Sequence, residues 1–247
     1  MARYLLLHAF PFDGSMWDGV AARLRAEGHE VLAPDLRGFG SAPLGVAAPD
    51  LGLLVDDMVA LLGERPAVIA GCSMGGYVAL GIARRRPDLV AGLALVDTKA
   101  TDDGPVAREA RERIAVLAES DGEWSAGMIL GLLGETTRRA RPDLVAEVEG
   151  ALARAPGRTV AWAQRAMAAR PDSRAALAMI TAPIVVVMGR EDTMSPRAEQ
   201  DLILEAVPHA AWVEVPDAGH LTPLEATDAV AAALLGVVAP GQSAARV

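Results

Sequence analysis

Residues 66–80 read PAVIAGCSMGGYVAL, and the reading of Ser73 inside them decides the fold. The run Pro66–Ala70 is continuously apolar, as in a strand buried on both faces. An amphipathic helix is expected from Met74 to Arg85. Ser73 is the lone hydroxyl between Gly71 and Gly75, where strand must turn into helix. A sharp turn with nearly side-chain-free neighbours presents a nucleophile; a serine at a helix start is also an ordinary cap. With 24 glycines in the chain, a bare G-x-S-x-G says little. The strand before it and the helix after it are the context that gives the motif meaning.

The rest of the chain alternates in the same way. Strands are expected at Tyr4–Leu7, Glu30–Asp35, Ala67–Gly71, Leu93–Asp97, Ile184–Met188 and Ala211–Val215. Helical faces recur at Trp17, Val20, Ala21 and Leu24, and at Val55, Met58, Val59 and Leu62. Ser15 with Asp18 reads as a capping box for the first of these helices, and Thr222 with Glu225 as one for the last. Ser195-Pro196 reads as a cap followed by proline at the first helical position. Residues 98–180 hold no clear strand and are rich in Ala, Arg, Glu and Leu. The expected fold is α/β: a mostly parallel twisted sheet of about six strands with helices on both faces. Its core is 1–97 and 181–240, with 98–180 as an inserted helical lid and 241–247 as a frayed tail. Functional loops then lie at the carboxyl ends of the strands.

Composition narrows the function classes. Hydrophobic content of 52% against 22% charged is globular. A net charge of −9 argues against nucleic acid. The one cysteine, Cys72, allows no intrachain disulfide and points to a reducing, cytoplasmic setting. Beside Ser73 it resembles a catalytic thiol, but it reads better as a small buried filler. No charge-free apolar run nears 18 residues, so no membrane span is expected. The apolar start at Tyr4–Leu7 runs into Pro11 and Asp13 and reads as a strand, not a signal peptide.

A serine hydroxyl needs a base. Of four histidines, His8 ends the first strand, and His29 and His209 precede strands. His220 follows the last strand and precedes the final helix, at the catalytic edge. Asp192, in Gly189-Arg190-Glu191-Asp192, follows the Ile184–Met188 strand to that same edge and is expected to orient the imidazole. Asp97 is a rival and Glu191 a weaker one. The order Ser73, Asp192, His220 is that of a hydrolase triad. An oxyanion needs backbone N–H donors. Met74 follows the serine, and Phe10 lies in the loop His8–Pro11.

The stretches LLLHAFPFDGSMW, APDLRGFGSA, GCSMGGYVAL, LALVDTKA, VMGREDTMSP and VPDAGHLTPLEAT span residues 4 to 227, apart from the lid. With them the chain resembles the α/β-hydrolase superfamily and is similar to its small capped esterases and lactonases, carboxylesterase-like and enol-lactonase-like. The resemblance implies the triad Ser73, Asp192 and His220, an oxyanion hole from Phe10 and Met74, and no metal or cofactor. Ala9 stands where the family usually has glycine, and the two antiparallel strands many relatives place first are absent.

Trp124, Met128, Trp162 and Met167 are the large apolar lid residues expected either to shape the substrate pocket or to pack the lid helices together. Arg138, Arg139 and Arg141 could meet a carboxylate or form a solvated face. The function expected is cleavage of a carboxylic ester or lactone, a small molecule, by a monomer or homodimer. Alternatives on this scaffold are C–C hydrolysis, lyase or cyclisation chemistry, or a low-turnover receptor.

Overall fold

The computed structural model describes residues 1–120 and 122–237. The tail expected to fray, 241–247, and the last three residues assigned to the core lie outside the described residues. Six strands form one all-parallel sheet: β1 (Arg3–Leu7), β2 (Glu30–Leu32), β3 (Ala67–Cys72), β4 (Val90–Val96), β5 (Ile184–Gly189) and β6 (Ala211–Val215), in the order β2-β1-β3-β4-β5-β6. Between them run α1 (Asp18–Ala26), α2 (Leu51–Leu62), α3 (Met74–Arg85), then α4 (Pro105–Glu119), α5 (Ile129–Leu132), α6 (Glu135–Ala140), α7 (Pro142–Arg154), α8 (Gly157–Ala168) and α9 (Arg174–Leu177), then α10 (Arg197–Ala206), α11 (Thr222–Glu225) and α12 (Thr227–Val237). Helices α4–α9 all fall between β4 and β5, the segment expected to be helical.

The strands sort their side chains by the period of two. Leu5, Leu7, Ile69, Leu93, Leu95, Ile184 and Val186 pack on one face with α2, α3 and α10. Tyr4, Leu6, Val68, Ala70, Ala94, Val96, Val185 and Val187 pack on the other with α1 and α12. Both faces are covered, which is why these strands read as unbroken apolar runs. The expected helical faces are buried as well: Trp17, Val20, Ala21 and Leu24 on one, Val55, Met58 and Leu62 on another.

β2 is shorter than expected. It is an edge strand, and Pro34 has no N–H for the ladder. Asp35 leaves the sheet to accept from Gly14 N (2.9 Å) and Ser41 N (2.8 Å). The three expected caps also differ. Asp13, not Ser15, caps the turn Gly14–Trp17 ahead of α1, accepting from Ser15 N. Pro196 is the N-cap residue of α10 and gives no side-chain cap, and Leu221 holds that position at α11. Ser195 and Thr222 spend their hydroxyls on aspartates instead.

β1 pairs with β2 on one side and β3 on the other, so the winding reverses between β1 and β3, and a crevice opens beyond their carboxyl ends. There β3 turns into α3 at very close quarters. A Cβ on Gly71 would lie 2.2 Å from Gly75 O, and one on Gly75 would lie 2.1 Å from Leu7 O. Both obstacles are backbone and cannot rotate away.

His8, at the end of β1, is fully buried; its Nε2 accepts from Leu36 N (2.9 Å) and its Nδ1 bonds Ala9 O (2.9 Å). It therefore ties the loop after β1 to the loop after β2 as a neutral ring. Burial pushes its pKa from 6.5 down to about 4, against the Ala9 carbonyl and the charges of Asp13 and Asp35.

Two outcomes follow from these contacts. Gly75→Ala is expected to lower unfolding free energy by about 3 kcal/mol or more, or to prevent folding. Gly236→Ala, with no described residue within 4 Å of the added methyl, should be neutral or stabilising by up to ~1 kcal/mol; urea unfolding of both variants checks this. Between pH 6.5 and 4, unfolded His8 binds a proton that folded His8 refuses, so stability falls as pH falls through that window and is complete above it. The loss due to His8 should reach about 2 kcal/mol at about pH 5. It is measured as the pH-dependent part of urea stability that disappears in His8→Gln.

Candidate active site

Ser73 sits at the turn between β3 and α3 with φ 51° and ψ −113°. This is a left-handed conformation that costs a non-glycine residue of order 1–3 kcal/mol. The surroundings hold it there. Ser73 N donates to Val96 O (3.0 Å), Gly76 N donates to Ser73 O (2.9 Å), and Thr98 Oγ1 donates to the same carbonyl (2.7 Å). Ser73 gives α3 no side-chain cap, and its hydroxyl bonds to nothing among the described residues. The capping alternative therefore fails.

His220 is buried in the loop after β6. Its Nδ1 lies 2.9 Å from Asp192 Oδ2 and 3.3 Å from Ser195 Oγ. Its Nε2 is buried and has no hydrogen-bond partner among the described residues. Asp192 accepts on every side: from Met194 N (2.8 Å), Ser195 N (3.0 Å) and the Ser195 hydroxyl as well as from the imidazole. Burial alone would raise its pKa; the His220 charge and these hydrogen bonds prevail and hold it below the usual carboxylate range. Ser195 is on the Nδ1 side of the ring, against the aspartate, and so supports the pair rather than receiving a base.

Asp97, the rival acid, makes no hydrogen bond to His220. It is fully buried, with Oδ1 accepting from Gly189 N (2.9 Å) and Oδ2 from Thr222 N (3.0 Å) and Thr222 Oγ1 (2.6 Å). It pins the end of β4 to the end of β5 and to α11. Burial, and then the charge of Asp192, push its pKa up. Glu191 is engaged by Thr136 N (2.9 Å) in the inserted helices. Glu225 receives Gly219 N (3.0 Å), Leu221 N (3.1 Å) and Gly134 N (2.9 Å), which shapes the His220 loop on both sides of the ring.

Ser73 and His220 line one cleft of about 240 Å³ with Phe10, Tyr77, Met128 and Met167, among others. Neither Phe10 N nor Met74 N donates to an acceptor among the described residues. The Met74 N–H opens α3, where the helix dipole favours negative charge. Ala9 is fully buried among apolar residues at negative φ, so its methyl fits where glycine was the usual choice.

The other expected pocket residues divide. Met128 and Met167 line the cleft. Trp124 stands behind Phe10, ring centroids 5.9 Å apart, and does not line it. Trp162 is buried with its indole N–H on Ala47 O (2.9 Å), anchoring α8 to the loop before α2. Arg138 and Arg141 bond backbone carbonyls, Leu133 O and Leu224 O, and Arg139 pairs with Glu135; none reaches the cleft. Cys72 is fully buried, its thiol pushed well up by burial and by Asp97, Asp192 and Glu225. It packs under the site, near His220 O (3.7 Å).

Thr98, Ser195 and Gln200 have roles here that the sequence reading did not give them. Gln200 Nε2 donates to Thr98 O (2.9 Å) and Ser195 O (2.8 Å), so one amide links the Ser73 turn to the Asp192 loop. Asp-x-x-Ser at 192–195 was the available signal, since aspartates bond backbone and hydroxyl groups a few residues on. Among the described residues, no three His, Cys, Asp or Glu side chains are arranged to hold a metal ion. None of their helices is long and apolar enough to cross a membrane.

The model of the alpha/beta hydrolase family matches residues 4–233. A pimeloyl-[acyl-carrier protein] methyl ester esterase of Aromatoleum aromaticum is 30% identical, over 87% of this chain and 90% of its own. A thermophilic esterase of Thermogutta terrifontis, solved with malate bound, is 36% identical with a TM-score of 0.90, over 96% of this chain and 89% of its own. The enol-lactonase of Burkholderia xenovorans LB400 shares the fold, with a TM-score of 0.87 at 24% identity, over 96% and 91%. The chain thus belongs to the alpha/beta hydrolase family, on its ester-hydrolysing side.

Proposed function

We propose that the protein cleaves a carboxylic ester, lactones included, through an acyl-enzyme on Ser73. The observation that carries this is the state of His220. Asp192 and Ser195 hold its Nδ1, its Nε2 is unpartnered, and the ring shares a cleft with an unbonded serine hydroxyl. The likeness to curated and solved esterases supports the same chemistry.

In this reading Ser73 Oγ attacks the ester carbonyl as its proton passes to His220 Nε2. Asp192 fixes the tautomer with hydrogen on Nδ1 and stabilises the imidazolium that forms. The N–H groups of Phe10 and Met74 receive the oxyanion. The imidazolium then protonates the leaving alcohol. Water, deprotonated by the same nitrogen, releases the acid and frees Ser73. The helices of 98–180 act as the cap that walls the acyl and alcohol groups.

Release of para-nitrophenol from para-nitrophenyl acetate should show a burst matching the enzyme concentration. Ser73→Ala and His220→Ala should each lose nearly all turnover while remaining folded. Full activity in Ser73→Ala would sink the reading. Asp192→Asn should lower kcat by about 10⁴, the size seen in a protease triad. Asp97→Asn should appear in stability first, by about 1–3 kcal/mol, since it leaves buried donors short of an acceptor. Reversed behaviour of the two aspartate variants would move the acid to the end of β4.

A further inference from the structure

The cleft has a second, charged end. Asp103, just before α4, gives one carboxylate oxygen to Arg170 Nη2 (2.7 Å) and the other to Arg111 Nε. Burial would raise the Asp103 pKa, but the two guanidiniums hold it below the usual range. Arg111 Nη1 also donates to Gln164 Oε1 (3.0 Å). Arg170 is buried, its guanidinium 4.1 Å from the centre of the Tyr77 ring. Two cations thus share one anion.

Lys99 joins Arg111 and Asp103 on the cleft wall, while Arg170 lies outside the lining. It is the only lysine of the chain, it is half-buried, and its ammonium has no acceptor among the described residues. Among the described residues, Asp103 is the only carboxylate lining the cleft. Glu199 is occupied by Thr101 Oγ1 (2.8 Å) and does not line it. Lys99 also borders a second cavity of about 70 Å³ that Asp50 lines; there Asp50 caps Gly52 N (2.7 Å) and makes no ion pair with the lysine. The cleft wall of a chain with net charge −9 therefore carries an excess positive charge. Partly removing an ammonium from water without a partner is unfavourable; an anionic group in the cleft would reverse that.

We propose that Lys99, backed by Arg111, binds a free carboxylate on the substrate, so that the preferred substrate is an ester or lactone that carries that carboxylate on its acyl or its alcohol part. This rests on the ester-hydrolase reading above. The lysine is rooted beside Thr98, whose hydroxyl bonds Ser73 O. The carboxylate and the scissile carbonyl are thereby held at one fixed spacing.

The test compares each anionic ester with a neutral counterpart, using wild type, Lys99→Met and Lys99→Arg. On the acyl side the pair is para-nitrophenyl hydrogen glutarate and para-nitrophenyl pentanoate. On the alcohol side it is para-acetoxybenzoate and its methyl ester. In wild type, kcat/KM should favour the anionic member of one pair by about tenfold or more, through KM. Lys99→Met should erase that ratio and Lys99→Arg should keep most of it. Because the ratio is internal to each variant, it is independent of how much of the protein is folded. Free glutarate should inhibit wild type at least tenfold more tightly than Lys99→Met. No anionic preference in wild type, or an equal effect of Lys99→Met on both members of a pair, overturns the proposal while leaving the hydrolase reading standing. Hydrolysis of none of the four esters removes both.

Discussion

The backbone of Gly75 lies against the Leu7 carbonyl so closely that no side chain fits between them. This contact drives the N-terminus of α3 against the end of β1 and forces β3 to turn at one residue. Ser73 pays for that turn with a left-handed backbone, and Val96 and Thr98 hold it there. Phe10 and Met74, whose N–H groups donate to no acceptor among the described residues, belong to the two segments so joined. The serine at the turn thus follows from one steric fact about two strands and a helix.

Asp97 fastens the opposite side of the site. It joins the ends of β4 and β5 to the start of α11, so the loops carrying Asp192 and His220 leave the sheet from fixed points. Gln200 then closes the circuit back to Thr98. Two buried aspartates with different surroundings divide the work. Asp97 has backbone and hydroxyl donors only, and Asp192 has the imidazole.

The sheet and the triad candidates were legible in the sequence because both leave periodic or positional marks. Buried parallel strands are apolar throughout, and loops at their carboxyl ends can be counted off in order. Ser73, Asp192 and His220 were all picked out as candidates in this way. The caps were misread because Ser15, Ser195 and Thr222 are ambiguous: each hydroxyl can serve a helix end or a nearby carboxylate, and only tertiary packing chooses. Trp162 stayed open between pocket and packing for a similar reason. A large apolar side chain on a helix has the same sequence signature whether it meets substrate or another helix. Arg170 is distant in sequence from Asp103 and Arg111, and all three are ordinary in type, so nothing local announced their meeting.

Lys99 has a consequence for handling the molecule as a chemical object. In a chain whose other basic side chains are arginines and histidines, reagents that acylate amines find one side chain to modify besides the N-terminus. That side chain stands on the wall of the cleft. A fluorophore, crosslinker or affinity handle attached through an amide would therefore be delivered to the cleft shared by Ser73 and His220 without any cysteine having to be introduced.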